Sequence, residues 1–287
     1  MRLVSFGDFA LGGVSGETVV NLSSALPEIA RLSWDERLPA LAAGFGQSRA
    51  SVERQIAAGS GQPLSSARLR APVPRPPKLL CALANFGVRP QTDSPLEVDF
   101  NFKSPESVIG PGDSVVLSDL PATGFEAEAT LAVVIGRETR KVSEADALSS
   151  VFGYTAFLDL YGAGLGRVNI GTFFGKSLDT LGPMGPWIVT PDELGNPQNL
   201  RIQLLINGKA RQDYNTSEML VSVAGVISAA SGIMTLRPGD VVTCGSPAET
   251  PVLVADGDEV TADIERIGRL TVKVTDPLQR TWPAAVA

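Results

Sequence analysis

Residues 124–136 read GFEAEATLAVVIG, a continuous apolar run headed by two glutamates, Glu126 and Glu128. The apolar half is the kind of segment that sheets bury. In a strand, successive side chains alternate faces, so the two carboxylates point the same way with Ala127 opposite. Side by side at the head of a buried strand they raise each other's pKa and both resist burial, so something positive has to compensate. A divalent cation is one answer, and a solvated face matched by Arg or Lys is the other. A third carboxylate, Asp159, ends the apolar segment VFGYTAFLDL (151–160) at a Gly-rich turn. Three carboxylates without Cys or His describe a site for a hard cation, Mg²⁺, Mn²⁺ or Ca²⁺, rather than for zinc or copper.

Outward from this stretch the chain is mostly short β-patterned segments separated by Gly, Pro and Asp: KLLCALA, SVVLS, TLAVVIG, VFGYTAFLDL, PWIVT, RIQLLING, DVVTCG, EVTADI and RLTVKV. Strands at that frequency with few helices between them predict a mainly β (α+β) domain with an antiparallel or mixed sheet, not a doubly wound one. One helix is expected over 217–231, where Met219, Leu220, Val223, Val226 and Ile227 recur at helical spacing. Before residue 71 the pattern differs, with a hairpin (MRLVSF, ETVVNL) and then one or two helices over 27–58. The proline-dense APVPRPPKLL (71–80) reads as an extended connector. The expected organisation is a small N-terminal domain, 1–70, followed by the main domain, 71–287.

The composition narrows the chemistry. With 287 residues, 44% hydrophobic and 19% charged, the chain has material for a sizeable core. Net charge is −7 and Lys and Arg form no basic stripe, which argues against nucleic acid. No apolar run approaches the roughly 20 residues of a membrane span, and the first residues lack a signal-peptide pattern, so a cytoplasmic protein is expected. Cys81 and Cys244 are too few for a disulfide framework and read as core or pocket thiols. There is no histidine at all, which excludes a Ser-His-Asp or Cys-His unit, a His-ligated zinc and an imidazole switch. GAGLG (162–166) follows a strand but lacks the third glycine of a dinucleotide fingerprint, and its glycines are better suited to letting backbone pass close to the carboxylates.

The segments FEAEATLAVVIGRETRKVSEADALSSVFGYTAFLD, GKSLDTLGPMGPWIVTPDEL, INGKARQDYNTSEM and LRPGDVVTCGSPA, in this order and spacing, resemble the fumarylacetoacetate hydrolase superfamily from about residue 79 to the end. The leading hairpin looks like that family's small first domain. The resemblance implies a rolled mixed β-sheet, a homodimer, and a metal held by Glu126, Glu128 and Asp159. By the same resemblance Lys176 lies beside the metal, and Gln212 with Tyr214 or Asn215 lines the substrate pocket. Ser246 stands where a threonine usually contacts a substrate carboxylate.

Two positions depart from the family pattern. The segment that usually carries N-Y-x-x-H-x-x-E is here NFGVRPQTD (85–93), which places Arg89 near the histidine position and Thr92 or Asp93 near the glutamate. Ala163 replaces the Arg of D-x-x-x-R-D. A positioned base is worth about 10²- to 10⁴-fold, whereas a metal polarising a chelated oxo acid acts independently of it. Asp93, Glu97 or Asp99 are candidate replacements for the base, and Arg89 is a candidate for binding a substrate carboxylate through its planar guanidinium. The implied activity is divalent-metal-dependent cleavage of a C–C bond, by hydrolysis or decarboxylation, in a 2-oxo or 1,3-diketo acid. Isomerisation or hydration of an unsaturated 2-oxo acid at the same site is the alternative, and a silent metal- or ligand-binding relative is the third reading.

Overall fold

The apolar run becomes the strand Ala129–Ile135, every residue of which is buried. Its alternate side chains serve two cores. Leu131, Val133 and Ile135 pack with Ile202, Leu204, Leu270 and Val272, while Ala132 and Val134 pack with Leu38, Leu41 and Val52. Burial on both faces is why this strand has no polar alternation. The computed structural model describes residues 1–88, 98–165, 172–247 and 252–282.

Ala129–Ile135 lies inside a large mixed sheet. On one side follow Val151–Leu158, Gly182–Val189, Arg2–Phe6, Ala10–Ser15, Thr18–Asn21 and Gln62–Pro63; on the other, Val241–Thr243, Leu79–Leu83 and Asp99–Phe102. The pairing of Val241–Thr243 with Leu79–Leu83 is parallel, and the remaining pairings along this path are antiparallel. A second sheet, ordered Lys209–Asn215, Arg201–Ile206, Glu259–Ile264, Gly268–Thr275 and Ser114–Val116, covers one face of the first. Helices Arg37–Ala43 and Phe45–Ala57 cover part of the other. The mainly β fold expected from the segment pattern is what forms. The first 70 residues are not separate from it in hydrogen bonding, since Leu3 pairs with Ile188 and the leading hairpin extends the same sheet.

The helix expected over 217–231 forms later, as Val223–Ile233. Asn215 and Glu218 close a capping box on the 3₁₀ turn Thr216–Glu218, and the chain leaves that turn extended at Met219. Ser222 then starts the helix by accepting from the Gly225 N–H. No helix among the described residues is long and apolar enough to cross a membrane.

One irregularity positions the site. Gly124–Glu126 pairs with Tyr161–Ala163, and Ala129–Ile135 pairs with Val151–Leu158, so the two strand pairs form one antiparallel ribbon with a break in the middle. Ala127 and Glu128 face Asp159 and Leu160 across the break, and the Asp159 N–H donates to the Glu128 carbonyl at 2.8 Å. The Ala127 and Leu160 N–H groups turn away to the Val252 and Leu181 carbonyls, so backbone donors freed by the break are satisfied elsewhere.

Candidate active site

All three expected carboxylates sit at this break. Glu126 ends one strand pair, Asp159 follows the other, and Glu128 lies between them in sequence and outside both strands. Two ammonium groups meet them. Lys176 Nζ lies 2.9 Å from Asp159 Oδ2 and 3.2 Å from Glu128 Oε2. Lys103 Nζ lies 2.9 Å from Asp159 Oδ1 and 2.7 Å from the Leu160 carbonyl. The two oxygens of Asp159 are thus each held by a different lysine. The Tyr161 hydroxyl donates to Glu126, and the Tyr161 ring faces Lys176 Nζ at 4.3 Å.

Burial makes these contacts consequential. Lys103, Asp159 and Lys176 are 1%, 3% and 4% exposed, and charges so placed survive only when paired. The two acids in contact with Lys176 respond in opposite directions. Burial pushes the Glu128 carboxyl up, opposed by Lys176 and reinforced by Asp159. Burial also acts against ionised Asp159, but Lys103 and Lys176 together outweigh it and hold its pKa at about 2. Lys103 makes the difference, because it touches Asp159 and not Glu128. Lys176 loses solvation as well, yet Asp159 and Glu128 keep it protonated, above the ordinary lysine range.

Lys176 reaches this position because its helix docks tightly. Gly175, in the helix Thr172–Lys176, lies so close to the strand Tyr161–Ala163 that a Cβ there would fall 2.2 Å from the Gly162 carbonyl oxygen. The missing side chain at Gly175 is what permits the approach. Of the GAGLG glycines, Gly162 is the one whose backbone is approached, and Gly166 lies outside the described residues.

The remaining sequence-derived candidates divide. Ser246 is buried beside Glu128, and among the described residues its hydroxyl has no hydrogen-bond partner of good geometry. Gln212 donates to the Pro247 carbonyl at 2.9 Å and so braces the segment that carries Ser246. The Tyr214 hydroxyl donates to the Ala129 carbonyl, and Asn215 accepts from the Ser217 N–H in the capping box. Arg89, Thr92, Asp93 and Glu97 lie outside the described residues, whereas Asp99 is exposed on a sheet strand. Asn85 is buried and bridges two parts of the chain, donating to the Val221 and Cys244 carbonyls at 3.0 and 2.9 Å. Cys81 and Cys244 are buried thiols, with burial the main cause that pushes each pKa up, Cys244 to about 12.

Sequence reading passes over Lys103 and Tyr161. The only local sign of Lys103 is a single cation closing the apolar-aromatic segment FNFK before Ser-Pro, a pattern that surface lysines share. As donors, Glu126, Glu128, Asp159 and Ser246 are all hard oxygens, which suits a divalent cation of the Mg²⁺ or Mn²⁺ type. With every group ionised, three carboxylates face two ammoniums, so the cluster retains one negative charge. Among the described residues no three acidic groups already converge on one point, because Lys176 stands between Glu128 and Asp159 and Glu126 turns to Tyr161.

The comparisons with known proteins agree with the fold. The profile described as fumarylacetoacetate (FAA) hydrolase C-terminal matches residues 80–275. The chain is 32% identical to a maleylpyruvate hydrolase of Aquipseudomonas alcaligenes, over 96% of this chain and 99% of that protein. It is 33% identical to an oxaloacetate tautomerase of Bacillus subtilis (strain 168), over 74% of each. Its structure matches that of a maleylpyruvate hydrolase from Sphingobium sp. SYK-6 in complex with manganese(II) and pyruvate, with a TM-score of 0.86 and 31% identity over 96% of this chain and 99% of that one. On these grounds the chain belongs to the fumarylacetoacetate hydrolase superfamily.

Proposed function

We propose that this protein is a divalent-cation-dependent enzyme that cleaves a C–C bond in a 2-oxo acid of the acylpyruvate type, by hydrolysis. The observation that carries the reading is the buried cluster at the ribbon break, in which three carboxylates outnumber two ammoniums. Its support from relatives is the full-length similarity to maleylpyruvate hydrolases, one of which is described with manganese(II) and pyruvate.

Glu126, Glu128 and Asp159 would hold the cation, which supplies Lewis-acid polarisation of the oxo acid's carbonyl oxygen. Its two positive charges would turn the cluster's single negative remainder into a net positive one, matched to an anionic substrate. Lys176, kept protonated by its carboxylate neighbours, adds a second positive charge where negative charge develops on the substrate oxygen as the C–C bond breaks. The Ser246 hydroxyl, beside Glu128 and without a well-formed partner among the described residues, is available to donate to a substrate carboxylate. Tyr161 flanks Lys176 with its ring, whose face attracts the ammonium.

A specific observation favours a second reading, tautomerisation of a 2-oxo acid. With no histidine in the chain, and with Glu128 and Asp159 both tied to lysines, no described residue of the cluster stands free as a base for water attack. Keto–enol exchange still needs a group to carry the proton to or from carbon, but it needs no activated water nucleophile, and a relative 33% identical to this chain is an oxaloacetate tautomerase. Maleylpyruvate and oxaloacetate, each supplied with Mg²⁺ or Mn²⁺, separate the readings. Pyruvate release from maleylpyruvate supports cleavage, and accelerated enol–keto exchange of oxaloacetate without pyruvate release supports tautomerisation. Inertness toward both, in a protein that binds Mn²⁺, rejects both.

A further inference from the structure

The cluster contains two buried lysines with unlike surroundings. Lys176 ends a short helix, faces the Tyr161 ring, and shares itself between Glu128 and Asp159. Lys103 is more enclosed, with a side chain 0% exposed. Its ammonium joins one carboxylate oxygen, Asp159 Oδ1, to one backbone carbonyl, Leu160, in the residue that follows. A single cation therefore fixes the Asp159 side chain against its own backbone. The space for this lysine is also built in: Gly182 lies beside it, and a Cβ there would fall 3.3 Å from Lys103 Cε and 2.7 Å from Ser107 Oγ. The lysine's own backbone is anchored as well, with the Lys103 N–H donating to the Leu79 carbonyl at 2.9 Å.

From this geometry we propose that Lys103 is a positioning residue: it locks the Asp159 carboxylate in the orientation that a cation needs, while Lys176 is the ammonium that is free to exchange partners. The inference rests on the metal reading given above and assigns a role that the chain's carboxylates alone do not reveal. It makes a prediction whose sign is unusual. Removing a positive charge from beside a cation site makes the site more negative, and by Coulomb's law alone cation binding tightens. Removing a residue that orients a ligand does the reverse, since partners that hold metal ligands in place are typically worth about 10- to 100-fold in affinity. The two effects oppose each other at Lys103, and the fixed bond to Leu160 favours orientation. At Lys176, which stands between Glu128 and Asp159, the charge effect is not opposed in this way.

The test is calorimetric titration of Mn²⁺ into the full-length protein, with folding checked by circular dichroism. Lys103→Met is expected to weaken Mn²⁺ binding at least tenfold despite the lost positive charge, and Lys176→Met is expected to tighten it. Tighter binding by Lys103→Met overturns the proposal and makes the residue a simple counter-charge. A lower melting temperature with affinity within about threefold of wild type also overturns it, leaving Lys103 with a structural role only. If Lys103→Met does not fold, Lys103→Gln is read by the same criteria, since it removes the charge while retaining a polar end. Failure of the wild-type protein to bind Mn²⁺ is a different result and rejects the metal reading itself.

Discussion

Gly175→Ala tests the docking that delivers Lys176. The added methyl would lie 2.2 Å from the Gly162 carbonyl oxygen, where ordinary contact begins near 3.4 Å, so the helix has to retreat by roughly 1 Å. Both obstructing surfaces are backbone, and no side-chain rotation relieves the clash. Lys176 is the next residue, and a shift of that size stretches its 2.9 and 3.2 Å contacts with Asp159 and Glu128 beyond hydrogen-bonding range. Charge-assisted bonds contribute about 1.5–3 kcal/mol each, and replacing Gly by Ala returns about 1 kcal/mol of helix propensity. The expected net loss is about 2–5 kcal/mol of stability in urea unfolding. A misplacement of about 1 Å also costs on the order of 10²-fold in rate. The assay is kcat/KM on whichever of maleylpyruvate or oxaloacetate the wild type turns over, alongside the unfolding curve. A Gly175→Ala protein with wild-type stability and a rate within threefold of wild type would refute the reasoning.

Four other substitutions have expected outcomes set by the same structure. In chelator at pH 7, Glu128→Gln should melt no lower than wild type, because burial raises the Glu128 pKa and its ionisation therefore costs stability as pH rises. Asp159→Asn should melt far lower, by about 3–5 kcal/mol, because two buried ammoniums lose their shared partner; the reverse ranking in thermal scans contradicts the charge assignment. Asp276 is held at about 2, below its ordinary 3.8, chiefly by hydrogen bonding from Arg280. Its contribution is present above about pH 4 and disappears as pH falls toward 2, so Asp276→Asn should flatten that part of a melting-temperature profile, and an unchanged slope counts against the pairing. Tyr214→Phe leaves the buried Ala129 carbonyl without its donor and should cost about 1–3 kcal/mol with KM unchanged; a tenfold rise in KM would instead make Tyr214 a substrate contact.

The sheet strands were legible because apolar runs bounded by Gly, Pro and Asp leave the backbone few alternatives, and each of the nine β-patterned segments forms a strand. The Glu126, Glu128 and Asp159 grouping was also legible, since two of its members are local and the third ends the neighbouring strand. What the sequence hides is the break in the ribbon between them. Alternation within one strand predicts a shared face for the two glutamates, yet Glu126 ends one strand pair and Glu128 lies in the break before the next. Lys103 was hidden for a different reason: its burial depends on Gly182 and Asp159, both distant in sequence, and nothing adjacent to it signals an enclosed cation. The delayed start of Val223–Ile233 reflects local chemistry overriding periodicity, since the Asn215 capping box ends its turn before the apolar spacing runs out.

The parallel pairing of Leu79–Leu83 with Val241–Thr243 has a consequence for how the protein is made. The carboxylates and both lysines all leave the ribosome before residue 241 does, so during synthesis the charged cluster exists without the strand that completes its sheet. Non-local pairings of this kind form late and slowly, while the apolar segments awaiting partners remain prone to association. The nascent chain thus carries burial-dependent charges through the interval before closure, and slower translation between residues 176 and 241 would extend the time for which holding chaperones are needed.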